Sequence, residues 1–199
     1  MIGADAFAIR TLAPDDIDAG VHLHAATLDG VMNRLGHRFL TVFHEAALQH
    51  PSTRAFVAAG TDGRLAGFAV ATLDAPSFHR ALRRRLFPAL LRAVAAPQRW
   101  TLGWRMARAV VAERAPRPVM TAELLLLSVD PSARRQGIAR RLLEVVEGEF
   151  RRHDVDRYRV GVRSHLEESR RAYESLGFVL EQRMPVLRMP MTYLVRHLS

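Results

Sequence analysis

The sequence predicts a mixed α/β fold, a central sheet flanked by helices and interrupted by a basic helical insertion, and three observations carry that prediction. Apolar runs of strand character alternate with stretches of helical periodicity through the last third of the chain. An Asp62-Gly63 turn stands between two β-rich runs in the first third. Between these regions, residues 76–117 change texture to apolar residues interleaved with arginine. A chain of 199 residues, 49% hydrophobic and 25% charged, is long enough to bury a sizeable core, and we expect one domain over residues 1–199.

Each element has a local reason. The first strand candidate is "AFAIRTL", and Pro14-Asp15-Asp16 after it supplies helix-start chemistry. The helix "IDAGVHLHAATL" puts Ile17, Val21, Leu23 and Leu28 mostly on one face. A second helix runs from about Val31 to His50 and stops before Pro51. Two runs, "RAFVAAG" and "RLAGFAVATLD", then fold back around Thr61-Asp62-Gly63 as a hairpin. In the insertion, Phe78, Leu82, Leu86, Leu90 and Leu91 are interleaved with Arg80, Arg83, Arg84, Arg85 and Arg92, the pattern of one or two amphipathic helices split by prolines. Alternation then resumes. A strand ends at Val129, a helix runs from about Gln136 to Arg152, "YRVGVR" is a strand, a helix spans about Glu167 to Leu176, and strands start at Phe178 and near "MTYLVRHL".

Composition excludes some chemistries. Without cysteine there is no disulfide, thiolate metal site or cysteine nucleophile, and a reducing compartment is favoured. The start "MIGADAFAIR" lacks a charged segment followed by an apolar core, and no apolar run has the length of a membrane span, so a cytoplasmic location is expected. The formal charge of +9 comes from 29 arginines with no lysine. Such a balance favours anionic ligands such as phosphates, nucleic acid or a membrane surface, without choosing among them. No metal is expected: His44-Glu45 begins like a zinc-protease helix motif, but Leu48 stands where the second histidine belongs.

The segment "LLLLSVDPSARRQGIARRLL", from Leu124 to Leu143, joins a buried strand to a helix through an arginine-rich turn. A helix that starts this way leaves its first amides without intrahelical partners, and together with the helix dipole they form an anion site. Gly137 lets a backbone or ligand approach closely, small Ala139 keeps the next turn open, and Arg134, Arg135 and Arg140 add positive charge. The segment is neither a P-loop nor a dinucleotide fingerprint, because the required glycines and lysine are missing. The bland alternative is an ordinary strand-turn-helix with a solvated arginine face.

Downstream, "RSHLEESRRAYESLGF" places Tyr173 on a short helix whose apolar face is Leu166, Ser169, Tyr173 and Leu176, with Gly177 as its C-terminal cap before Phe178. With both segments in view, the chain resembles the GNAT superfamily of acyl-CoA N-acyltransferases. Its acyl-CoA signature is matched by Arg134-Arg135-Gln136-Gly137-Ile138-Ala139 after Val129-Asp130-Pro131, and its aromatic signature by Tyr173-Glu174-Ser175-Leu176-Gly177-Phe178. The strand and helix pattern from residue 7 to 195 fits that family's whole fold.

The resemblance implies an N-acetyltransferase that moves an acetyl group from acetyl-CoA, as co-substrate, to an amine of a small molecule or peptide. It implies that free main-chain groups of Leu127, Ser128 and Val129 hold the pantetheine arm, that amides from Arg135 to Arg140 hold the pyrophosphate, and that Tyr173 is the general acid. The family's frequent asparagine seven residues before the tyrosine is Leu166 here. For the base, Glu123 is the only carboxylate in its strand, and among leucines it would have a raised pKa suited to taking a proton through water. It would share a face with Leu125, Leu127 and Val129 unless a bulge intervenes. Relatives that use a glutamate in the next strand have no counterpart here, where Gly161 stands.

The alternative is a basic protein that keeps an acyl-CoA fold without catalysis and associates with nucleic acid or a membrane. No nucleic-acid module is visible and aromatic interleaving is sparse, which disfavours nucleic acid. Residues 77–110, with Phe78, Trp100 and Trp104 among arginines, could lie on a membrane surface, but a helical lid packed on the sheet is the favoured reading. Pairing as a homodimer stays open.

Overall fold

The computed structural model describes residues 7–28, 33, 36–95, 120–186 and 189–198. Seven strands form one sheet: β1 (Phe7–Thr11), β2 (Thr53–Gly60), β3 (Leu65–Thr72), β4 (Glu123–Val129), β5 (Arg157–Arg163), β6 (Val179–Val186) and β7 (Met189–His197), in the order β1-β2-β3-β4-β5-β7-β6. Every neighbouring pair is antiparallel except β4 and β5. Among the described residues the α-helices are α1 (Ile17–Thr27), α2 (His37–Gln49), α3 (Ala75–Ala95), α4 (Ile138–Arg152) and α5 (Glu167–Ser175). The mixed sheet flanked by helices is the architecture the sequence predicts.

The hairpin forms as expected, with Gly63 at φ 79° and the Asp62 carboxylate accepting from the Arg64 amide at 3.0 Å. Element boundaries moved where backbone geometry intervened. The second helix is described from His37, behind Gly36 at φ 92°, and its expected start at Val31 lies outside the described residues. The helix expected from Gln136 begins two residues later, because Gly137 takes a left-handed conformation as its N-cap. In the insertion, α3 runs straight through Pro88 rather than splitting there, and residues 96–117 lie outside the described residues.

Two layers of side chains pack the sheet. On one face, α4 presents Ile138, Leu142, Val146 and Phe150, spaced four apart and each no more than 2% exposed, to Phe56, Ala69, Ala71 and Leu124. Gly67 on β3 permits this approach: a Cβ there would lie 2.8 Å from the Ser128 carbonyl oxygen and 3.2 Å from Ile138 Cγ2. On the other face, Leu23 of α1, Phe43 of α2 and Phe78 of α3 pack on Val57, Phe68 and Val70.

Two histidines are buried in that second layer. His24 Nδ1 lies 3.2 Å from His44 Nε2, with Phe43 and Phe68 against both rings. Burial lowers both to about 4, and the neighbouring His24 adds to the effect on His44. The folded chain therefore refuses protons that the unfolded chain accepts below about pH 6.5. Stability contributed by the pair is complete above that pH and falls as the pH drops toward 4, by up to about 1.4 kcal/mol per pH unit for each ring. Urea unfolding at pH 7.5 and 5.0 measures the loss, and His44→Leu, which leaves the buried His24, should make it smaller without abolishing it; an unchanged loss would contradict the assignment.

Two irregularities shape β4. Its pairing with β3 slips between Val70 and Ala71, which leaves Leu125 as an extra residue. Leu124, Leu127 and Val129 consequently face the α4 layer, whereas Leu125 and Leu126 face the α1–α3 layer. The period-2 expectation that Glu123 shares a face with Leu127 and Val129 is thus corrected: the bulge reverses the alternation between them. On its other edge, β4 pairs with β5 only at Glu123↔Arg159 and Leu124↔Val160, after which the parallel strands part.

Candidate active site

Beyond Leu124 the strands leave a split, open at the end where β4 runs into α4. The residues of Leu125–Val129 that are not bonded to β3 turn their amide and carbonyl groups toward the space β5 has vacated. Leu127, Ser128 and Val129 belong to this stretch, and the Ser128 hydroxyl hydrogen-bonds to Thr27 of α1.

The turn after Val129 is built by short-range forces. The Asp130 carboxylate accepts from the Ser132 amide at 2.8 Å and from its hydroxyl, which holds the carboxyl below its usual range and pins Pro131–Ala133 as a single 3-10 turn. Arg135 at φ 63° and Gly137 at φ 77° then reverse the chain into α4. Gly137 supplies no side-chain cap, and the Arg141 amide is the first to close a helical bond, onto the Gly137 carbonyl at 3.1 Å. The amides of Ile138, Ala139 and Arg140 precede it and have no partner of that kind. A Cβ on Gly137 would meet nothing within 4 Å, so the space beside these amides is open. Gln136 is exposed, and Arg134, Arg135 and Arg140, also exposed, make no ion pair among the described residues. This arrangement can hold an anion on backbone amides with arginines around it.

Tyr173 sits near the C-terminal end of α5, and the geometry explains its spacing to Gly177 and Phe178. The Phe178 amide donates to the Tyr173 carbonyl at 3.1 Å and the Gly177 amide to that of Glu174 at 3.0 Å, a Schellman cap that requires Gly177 at φ 90°. The cap's hydrophobic contact is Tyr173 against Phe178, edge to face with centroids 5.3 Å apart. Tyr173 is thereby fixed on the core, and burial pushes its phenol up from the ordinary value. A phenol in that state keeps its proton at neutral pH and can act as a donor.

Glu123 has different surroundings from those expected. It is buried, but not among leucines alone: Arg159 on β5 donates to its Oε2 from Nε at 3.0 Å and from Nη2 at 2.7 Å. The pair stands at the foot of the split, one rung below the point where the strands part. Tyr173, the α4 turn and the split share the framework made by β4, α4 and the cap at Phe178, which packs in the α4 core with Tyr158. A separate surface pocket, lined by Thr11, Leu48, Arg54, Phe56 and Glu149, contains none of these residues.

A family model of the acetyltransferase (GNAT) family matches residues 24–178, which includes the α4 turn, Glu123 and Tyr173. The chain belongs to the GNAT acetyltransferase family. Solved structures share the fold at low identity. Arylalkylamine N-acetyltransferase 2 from Aedes aegypti superposes with TM-score 0.67 at 16% identity, covering 98% of this chain and 100% of that one. The ribosomal-protein-S18-alanine N-acetyltransferase from Escherichia coli gives 0.58 at 18%, covering 97% and 94%. The NatC complex bound to Gag peptide and CoA gives 0.56 at 16%, covering 97% and 99%. No curated protein sequence matches at a significant level.

Within this GNAT chain, three residues important to the site's frame were missed from sequence. Glu147 lies 3% exposed in α4, accepts from the Tyr158 hydroxyl at 2.8 Å and pairs with Arg196, whose Nη1 donates to the Leu176 carbonyl at the end of α5. This network ties α4, β5 and β7 to the helix that carries Tyr173. Arg159 is the third. A carboxylate on the apolar stripe of α4 was a visible signal for Glu147; nothing local marked Arg159 or Arg196. Leu166 proves to be the N-cap of α5, with no side-chain cap. Leu166→Asn should therefore stabilise the helix by about 0.5–1 kcal/mol, read as a higher urea midpoint, and an unchanged midpoint would contradict it.

Proposed function

We propose that this chain is an N-acyltransferase that uses acetyl-CoA to acylate the amine of a small molecule or peptide. One observation carries the reading: the uncapped start of α4 and the unpaired edge of β4 open at the same end of the sheet, five residues of strand and one turn apart. Phosphates fit the first and an extended amide-bearing arm fits the second, because one offers backbone N–H groups beside arginines and the other offers strand-like donors and acceptors. The groups that would hold the co-substrate are the main chain of Leu127, Ser128 and Val129 and the amides from Arg135 through Gln136 to Arg140. Acetyl-CoA supplies the thioester: its acyl C–S bond breaks as the N–C bond forms, and the proton lost by the amine balances the one gained by the thiolate.

The protein's own residues handle those protons. Tyr173 donates one, since desolvation keeps its hydroxyl protonated and the Schellman cap fixes its position. Glu123 receives the other, directly or through water. Both arginine bonds fall on Oε2, which leaves Oε1 for that work. Glu123→Gln is expected to depress turnover most near neutral pH and to recover partly at alkaline pH, where free amine is already abundant. A profile parallel to that of the parent would make Glu123 a structural partner of Arg159 only. Because the change leaves a buried arginine without its counter-charge, the variant's stability must be measured alongside. The reading as a whole is tested by free-thiol release from acetyl-CoA across a panel of amines. Amine-dependent release supports it; binding of acetyl-CoA with no release on any amine leaves an acyl-CoA fold without catalysis.

A further inference from the structure

Helix α5 carries Tyr173 but is weakly held by its own residues. It has nine residues, none of them buried, and Leu166 supplies no side-chain cap at its start. A helix this short depends on tertiary contacts. Its last carbonyls need partners from outside the helix, and the Leu176 carbonyl finds one in Arg196 Nη1 of β7. The positive guanidinium at this end also complements the helix dipole. The contact is close, since a Cβ on Gly177 would collide with Nη1. The same guanidinium lies over the Phe178 ring, its Cζ 6.0 Å from the centroid, and Phe178 is the ring that Tyr173 meets edge to face. One side chain thus touches both the main chain and the ring of the cap that sets Tyr173.

Arg196 is itself anchored. It stands opposite Tyr158 across the β5–β7 ladder, and both side chains reach the buried Glu147 of α4. The Tyr158 hydroxyl donates to Oε1 at 2.8 Å, Arg196 Nη2 donates to Oε2 at 3.4 Å, and Arg196 Nε forms an ion pair with Oε1. Arg151, on the same helix as Glu147, lies 3.9 Å from Oε2. Helix α4 is also the helix whose first amides form the anion site, so Glu147 and Arg196 refer the cap of α5 to that same rigid element. We propose that Arg196 is a positioning residue for Tyr173: anchored on Glu147, it fixes the end of α5 and holds the phenol at one place relative to the start of α4. This rests on the acyltransferase reading with Tyr173 as its acid. Arg196 acts through the cap rather than on the reacting atoms. If the network served stability alone, its loss would lower turnover equally with and without the Tyr173 hydroxyl.

Two readouts on the same variants test the proposal. The chain has three tyrosines, Tyr158, Tyr173 and Tyr193, so protein labelled with 3-fluorotyrosine gives a fluorine NMR spectrum simple enough to assign by single replacements with Phe. In Arg196→Met the Tyr173 resonance should split or broaden, while that of Tyr193 keeps its line width. Turnover is measured with acetyl-CoA and 2-phenylethylamine, leucinamide or spermidine, and acetyl-CoA binding separately as a thermal shift. Arg196→Met should lower kcat by about 10- to 100-fold, the scale of a misplaced catalytic group, with the acetyl-CoA shift kept. Added to Tyr173→Phe it should cost less than about 2-fold, because residues that act as a unit are not additive. If Arg196→Met does not fold, Glu147→Gln with Arg196→Gln takes its place. That pair leaves no buried charge without its counter-charge, keeps an acceptor for Tyr158 and is too short at position 196 to hold the Leu176 carbonyl. A Tyr173 resonance as narrow as in the parent, or an equal loss of turnover in the Tyr173→Phe background, overturns this proposal alone. With no turnover on these three amines the spectrum decides by the same two outcomes. A parent protein that does not bind acetyl-CoA overturns the proposal together with the acyltransferase reading.

Discussion

Tyr173→Phe is expected to lower turnover by about 100-fold or more, the scale of a lost general acid, with acetyl-CoA affinity unchanged. The substitution removes one hydroxyl and almost nothing else. The ring that meets Phe178 edge to face remains, and the cap beneath it is made by main-chain groups of Tyr173, Glu174, Gly177 and Phe178. A structural tyrosine whose role is packing would tolerate the exchange. Single-turnover rates with the parent and the variant, alongside their thermal shifts with acetyl-CoA, separate the two cases. Unchanged turnover with unchanged binding would reduce Tyr173 to a packing residue.

Gly137→Val should abolish acetyl-CoA binding. At φ 77° a β-branched residue is strained by about 1–3 kcal/mol, and the new side chain would occupy the open space next to the bare amides of Ile138, Ala139 and Arg140. Gly137 is exposed and lies outside the core to which Ile138 and Leu142 belong, so the fold should persist. Far-UV circular dichroism checks that persistence, and calorimetry with acetyl-CoA reads the loss. A folded variant with parental affinity would mean that the start of α4 does not hold the pyrophosphate.

Much of this architecture was legible because its causes are local. The hairpin follows from Asp62-Gly63, α4 from an apolar residue at every fourth position, and the cap of α5 from the distance between Tyr173, Gly177 and Phe178. Departures from expectation came from contacts that no local pattern encodes. The bulge at Leu125 depends on how β4 lies against β3, and it reassigned the faces of the strand. Glu123 looked like a carboxylate among leucines because its partner, Arg159, is 36 residues away and becomes adjacent only through a parallel pairing. The link from Glu147 through Arg196 to the Leu176 carbonyl likewise joins elements distant in the chain. Proline weighed too heavily at Pro88, where α3 continues.

In the proposed function, the turn from Val129 to Ile138 and the split beside β4 serve as one acyl-CoA site. Calorimetric titration of the parent protein with acetyl-CoA, and then with CoA, tests this directly. One site per chain is expected for both, since the main-chain groups and the α4 amides would serve the pantetheine and the pyrophosphate whether or not an acyl group is present. A rise in melting temperature is also expected, as any ligand of the native state must produce, from an added stability near 2.7 kcal/mol at about 100 times the dissociation constant. No heat and no shift for either ligand at about millimolar concentration, the upper end of ordinary substrate constants, would contradict it.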